Sequence, residues 1–105
     1  MKTQKFGISQ VEGGRGIKFI LRGHVDSISA AELEQRLNET LKAGEHTIVL
    51  NMIRVDYLSS AGIKVILKAF KDAQRAGGDL GIEGPSENVR NVLGMTALDR
   101  LLINK

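Results

Sequence analysis

The apolar residues change their period inside one short stretch, and that change constrains what the chain can build more than any other feature. Ile48-Val49-Leu50 is the β-branched, apolar run a buried strand needs, whereas from Ile63 onward the apolar spacing is helical. Between them, Asp56-Tyr57-Leu58-Ser59-Ser60-Ala61-Gly62 sets two adjacent serines where strand gives way to helix. A serine at a helix start can accept from an orphan backbone N–H, and the helix dipole there favours negative charge. The same geometry makes an anion site. Ser59 and Ser60 therefore read either as an N-cap pair or as a place where a phosphate can be added and tolerated.

The rest of the chain supplies a scaffold for that switch. Lys5 to Val11 and Ile17 to Arg22 are strand-like and flank Glu12-Gly13-Gly14-Arg15-Gly16, whose glycines suit the turn of an antiparallel hairpin. Ser29-Ala30-Ala31-Glu32 matches a capping box, Leu33, Leu37 and Leu41 form the buried stripe behind it, and Gly44 stops that helix. His46 to Met52 is the next strand, expected to be central because Thr47 to Leu50 is continuously apolar or β-branched.

The helix after the serines runs to about Ala76 and ends at Gly77-Gly78. Asp79 to Glu83 is a short strand, and Gly84-Pro85-Ser86 opens a third helix through about Leu93. Leu98 to Ile103 is a last apolar segment, either helix end or edge strand. Alternating strands and helices predict an α/β fold in a single domain over residues 1–105. Its sheet is mixed and mostly parallel, with an N-terminal antiparallel hairpin and helices packed on it.

Composition narrows the function. With 105 residues and 42% hydrophobic content, the chain has the make-up of one compact domain. It has no cysteine, and His24 and His46 sit on separate segments without ligand-like spacing, so neither a metal nor a cofactor is expected. No segment approaches the ~18 apolar residues of a membrane span, and the N-terminus lacks the apolar run of a signal peptide. A cytoplasmic location without membrane insertion is expected. The net charge of +3 comes from scattered Lys and Arg among 12 acidic residues, and Phe6, Phe19, Tyr57 and Phe70 are too dispersed for a base-stacking platform. No direct nucleic-acid partner is expected.

On a helical wheel, Lys64, Lys68, Lys71 and Arg75 share one face with Asp72 beside them, opposite Gly62, Ile66, Ala69, Phe70 and Ala73. With Ile63, Val65 and Leu67 on the flanks, the apolar arc spans about 200°, wider than the ~100° stripe of one-sided burial. The excess at the rim is either covered by loops or left as a partner-binding patch. The basic row is either a solvated face or a dock for an acidic partner. Small Ala61 and Gly62 let the first turn approach the sheet and leave Ser60 uncrowded.

Tyr57-Leu58-Ser59-Ser60-Ala61-Gly62-Ile63-Lys64-Val65-Ile66-Leu67 resembles the signature of STAS domains, the anti-sigma factor antagonists (anti-anti-sigma factors) and their relatives. Leu21-Arg22-Gly23-His24-Val25-Asp26 is similar to the family's "L-x-G-x-hydrophobic-D" loop, and Ile48-Val49-Leu50-Asn51 to the strand beyond it. Gly94-Met95-Thr96-Ala97-Leu98 fits more loosely, and the family's final helix looks truncated. The likeness covers essentially the whole chain.

This resemblance implies a non-enzymatic partner switch that regulates transcription. An anti-sigma factor that is itself a serine kinase would bind the unmodified protein and phosphorylate Ser60, with Ser59 the second candidate, and a serine phosphatase would reverse the step. Ser59 stands where many members carry Asp, a departure that bears on kinase selectivity. Asp26 matches the acidic loop residue beside the site, and Ser59, Ser60, Ala61, Gly62, Ile63, Lys64 and Leu67 match the partner-binding segment. A weak homodimer is compatible with this reading.

Two other readings stand beside it. One is an architectural STAS subunit of a transporter or stress-signalling complex, with Ser60 a mere helix cap. The other is an enzyme, for which a serine nucleophile needs a base and an oxyanion site. No Gly-x-Ser-x-Gly elbow, P-loop or dinucleotide fingerprint is present, and His24 is the only candidate base on a nearby loop.

Overall fold

In a computed structural model of the chain, the structure describes residues 6–13, 16–96 and 98–103. Five strands form one sheet in the order β1-β2-β3-β4-β5, the order of the sequence. They are β1 (Gly7–Gly13), β2 (Gly16–Val25), β3 (Thr47–Leu58), β4 (Asp79–Glu83) and the two-residue β5 (Leu102–Ile103). β1 and β2 pair antiparallel; every other pairing is parallel. Helices α1 (Ser27–Lys42), α2 (Ser60–Arg75) and α3 (Glu87–Met95) make the crossovers, and a single 3-10 turn, Leu98–Leu101, leads into β5.

This is the mixed, mostly parallel α/β sheet with an antiparallel edge that the sequence predicts, and β3 is central to it. The parallel strands follow one another in one direction across the sheet, so right-handed crossovers stack their helices on one face. Burial agrees. Ile17, Phe19, Leu21 and Val25 of β2 and Ile48, Leu50 and Met52 of β3 alternate into a single core with Leu33 and Leu37 of α1, Ile66 and Ala69 of α2, and Val89 and Leu93 of α3. Between them, Lys18, Ile20, Arg22, Val49 and Asn51 point to the other face and stay half-buried or exposed. The continuous apolar run at Thr47 to Leu50 thus serves one buried face, not two.

Several boundaries differ from expectation, with identifiable causes. The strand expected over His46 to Met52 begins at Thr47 and continues to Leu58. Its register against β2 slips between Ile20 and Arg22 and again between Gly23 and His24. Each bulge places two outward residues in succession, Ile53-Arg54 and Asp56-Tyr57, while Val55 and Leu58 stay buried. A period-two reading loses the strand at that point. β2 likewise runs on to Val25, three residues past Arg22. In β1 the described strand runs Gly7–Gly13; Lys5, where it was expected to begin, lies outside the described residues, as do Gly14 and Arg15 of the turn.

The capping box of α1 lies one turn earlier than Ser29-Ala30-Ala31-Glu32. Asp26 is the N-cap and Ser29 occupies the third helical position as the reciprocal partner. Either residue pair can close such a box. Asp26 prevails because Ser29 is only 6% exposed, its hydroxyl turned back toward the strand end and not outward over a new helix start. Gly44 and Gly77, at φ of +95° and +91°, take the left-handed conformation after α1 and α2 that favours glycine. No described helix is long and apolar enough to cross a membrane.

Candidate functional site

The serine pair lies where the C-terminal ends of β2 and β3 meet the start of α2. Ser59 is the N-cap: its backbone is extended, at φ −80° and ψ 168°, and its Oγ accepts from the Gly62 amide at 3.1 Å. Its carbonyl accepts from Ile63 N at 3.0 Å, and its own amide donates to the Val25 carbonyl at 2.9 Å. Three groups of one residue are thereby fixed to helix and sheet together. Ser60, the first helical residue, is exposed, and its hydroxyl makes no hydrogen bond to the described residues.

Gly62 holds that first turn close to the strands. It is buried, and a Cβ there would lie 2.8 Å from both Leu58 Cδ1 and Val25 Cγ1. Close approach on this side turns Ser60, two residues earlier, outward. Ala61 and Ile63 are half-buried against the core, Lys64 is exposed, and Leu67 is half-buried one turn further on. The flanks of α2 are therefore half-covered. Large apolar residues stand out instead at Ile28, 83% exposed in the first turn of α1, and Tyr57, 50% exposed at the end of β3. Neither was singled out as a partner-binding residue from the sequence, since an outward Tyr57 depends on the second β3 bulge.

Asp26 follows directly after Val25, so it belongs to the same rim as Ser59. Its carboxylate is engaged rather than free, with Oδ1 accepting from Ile28 N at 3.0 Å and Ser29 N at 2.9 Å. Ser29 Oγ accepts from Asp26 N at 2.9 Å and lies 2.7 Å from the His24 carbonyl and 3.0 Å from Asp26 Oδ1. Its one proton serves the shorter contact or shares the two. The Ser29 amide, then the Ser29 hydroxyl, holds the Asp26 carboxyl below its ordinary range. Asp26 thus stays negatively charged over a wide pH range beside the serines.

His24 packs its ring 5.8 Å from that of Tyr57, and its buried Nδ1 has no hydrogen-bond partner among the described residues. Among the described residues, no three His, Asp or Glu side chains cluster to hold a metal ion. The site is a charged, partly apolar rim around the exposed Ser60 hydroxyl.

Residues 9–105 match the STAS domain family. The chain belongs to the STAS domain family. STAS relatives include BtrV of Bordetella bronchiseptica, 38% identical over 72 residues, which take in 69% of this chain and 62% of BtrV. The anti-sigma-B factor antagonist of Staphylococcus epidermidis is 28% identical over 80 residues, covering 76% of this chain and 74% of the relative. Among solved structures, the unphosphorylated form of the anti-sigma factor antagonist SpoIIAA superposes with a TM-score of 0.84 at 18% identity, covering 92% of this chain and 86% of SpoIIAA. The phosphorylated form of Bacillus SpoIIAA gives 0.77, also at 18% identity, over 92% and 89%. At such identities these superpositions establish the STAS fold.

Proposed function

We propose that this STAS domain is an anti-sigma factor antagonist, switched by phosphorylation of Ser60. The observation that carries the reading is the contrast between the serines. Ser59 spends its hydroxyl on the Gly62 amide, whereas Ser60 is exposed and its hydroxyl is uncommitted. The names of related proteins, among them the Staphylococcus epidermidis anti-sigma-B factor antagonist, support the partner class, and SpoIIAA, which shares the fold, exists in a phosphorylated form.

Unmodified, the rim of Asp26, Ser59, Ser60, Ala61, Gly62, Ile63, Lys64 and Leu67 docks on an anti-sigma factor that is also a serine kinase, displacing its sigma factor. Transfer of a phosphoryl group from the kinase's nucleotide to Ser60 Oγ adds about −1.5 to −2 charges at a neutral contact. Asp26, already negative, opposes burial of a second anion against the same partner. Each ~1.4 kcal/mol lost weakens binding tenfold. Meanwhile the N-terminal end of α2 stabilises the phosphate on the free protein, so affinity changes without refolding. A serine phosphatase resets the switch.

Intact-mass spectrometry with site mapping of the protein from its native cell, beside a Ser60→Ala variant, tests this. One phosphate on Ser60, absent from the variant, is expected. A chain without phosphate under every growth condition would instead support an architectural STAS subunit, with Ser60 serving only the helix start.

A further inference from the structure

We propose that the sheet face opposite the described helices carries a second docking surface, for an acidic protein segment, centred on Arg22 and Arg54. The parallel register sets these two arginines opposite each other on β2 and β3, and both are exposed. Like charges side by side on neighbouring strands cost stability. Ion pairs among the described residues are Lys18–Glu83, Lys68–Asp72 and Arg75–Asp72, so neither guanidinium is neutralised by a described carboxylate. Arg22 leans toward β1, into the space a Cβ on Gly7 would take. Asp56, two residues beyond Arg54, is exposed and pairs with neither. Glu83 is held by Lys18 and Asn51, both at 2.8 Å.

The surroundings suit a protein partner. The first β3 bulge turns Ile53 outward beside Arg54, 60% exposed, and the second does the same for Tyr57. Arginine and tyrosine next to exposed aliphatic surface is the composition of interface centres. A guanidinium binds a carboxylate bidentately, so Arg22 leaning over β1 and Arg54 on β3 suit a segment that carries spaced acidic side chains with apolar ones between them. A nucleic-acid strand would call for a longer track of cations and stacking aromatics; here the cation pair is isolated and Tyr57 already packs on His24. Arg22 and Arg54 are remote in sequence from Ser60, and Tyr57, three residues before it, is where this surface would meet the rim of the proposed switch.

The test uses the full chain, isotope-labelled, titrated with a short peptide of alternating glutamate and leucine and followed by amide chemical shifts. Shifts are expected at Ile20, Arg22, Ile53, Arg54 and Tyr57. Affinity should fall about tenfold in an Arg22→Gln, Arg54→Gln double variant and stay unchanged in Lys68→Gln, Lys71→Gln. Because no described carboxylate pairs with either arginine, Arg54→Glu should also raise the melting temperature. Peptide shifts confined to the lysine face of α2, equal binding by the arginine variant, or no binding would overturn the proposal. So would a single-stranded oligonucleotide that takes the same surface more tightly, or concentration-dependent broadening there without peptide, which would assign the face to a second copy of the chain.

Discussion

Ser59 Oγ accepts the Gly62 amide at 3.1 Å, and this one hydrogen bond separates two adjacent serines of the same chemistry. It makes Ser59 part of the fold and leaves Ser60 available for chemistry. Replacing the two therefore has different consequences. Ser59→Ala should lose about 1 kcal/mol of unfolding free energy, the usual cost of an N-cap, while Ser60→Ala should stay within about 0.5 kcal/mol of the parent. Denaturant titration of both variants checks this; equal losses would mean that the caps are shared.

Gly62 controls how closely α2 approaches the strands. A Cβ at 2.8 Å from Leu58 and Val25 must push one of them aside, and overpacking of this kind costs about 1–3 kcal/mol. The helix-propensity gain of alanine over glycine returns about 1 kcal/mol of that. Gly62→Ala should thus be destabilising by up to about 2 kcal/mol, and Gly62→Val by more. By contrast, Gly94→Ala meets nothing within 4 Å and should be neutral or stabilising. Thermal unfolding of the three variants gives the ranking.

Two carboxylates tie stability to acid pH. Asp26 is held below its ordinary value first by the Ser29 amide, and Glu83 first by its hydrogen bond from Lys18, then by Asn51. A lowered carboxyl contributes stability that is present above its unfolded value and is lost as pH falls through its folded one. Stability should therefore fall as pH drops below about 4, where unfolded Asp and Glu begin to bind protons. In Asp26→Asn the part of that slope due to Asp26 should vanish. Urea unfolding at stepped pH, parent against variant, reads the difference.

The Lys18–Glu83 pair, at 2.8 Å, joins β2 to β4 across the open face of the central strand, with Asn51 of β3 donating to the same Glu83 oxygen. Because Lys18 is 42% exposed on its side chain, the pair is worth about 1 kcal/mol or less and is screened by salt. Lys18→Ala should cost that much at low ionic strength and less in high salt, whereas Asn51→Leu should cost a salt-independent amount. Denaturation series at two salt concentrations separate them.

Gly78 has a close backbone neighbour: a Cβ there would collide with the His46 carbonyl, which is backbone and cannot yield. His46 O also accepts from Asp79 N at 2.9 Å, so the collision falls where β4 docks on β3. Gly78→Ala should cost more than Gly62→Ala, by at least about 1 kcal/mol, and should lower hydrogen-exchange protection first along β4.

The sequence by itself determined the order of elements, the antiparallel opening hairpin, the buried stripes of α1 and α2, and the serine pair at the strand-to-helix switch. These follow from local periods and from Gly and Ser chemistry, which are legible over a few residues. Tertiary structure decided the rest. Whether Asp26 or Ser29 caps α1 depended on where β2 ends; which serine keeps a free hydroxyl depended on how Gly62 packs against Leu58 and Val25. Two register slips against β2 carried β3 on to Leu58 and turned Ile53, Arg54 and Tyr57 outward. Pairing register and crossover direction arise between segments far apart in the chain. They alone put the described helices on one sheet face and set Arg22 opposite Arg54.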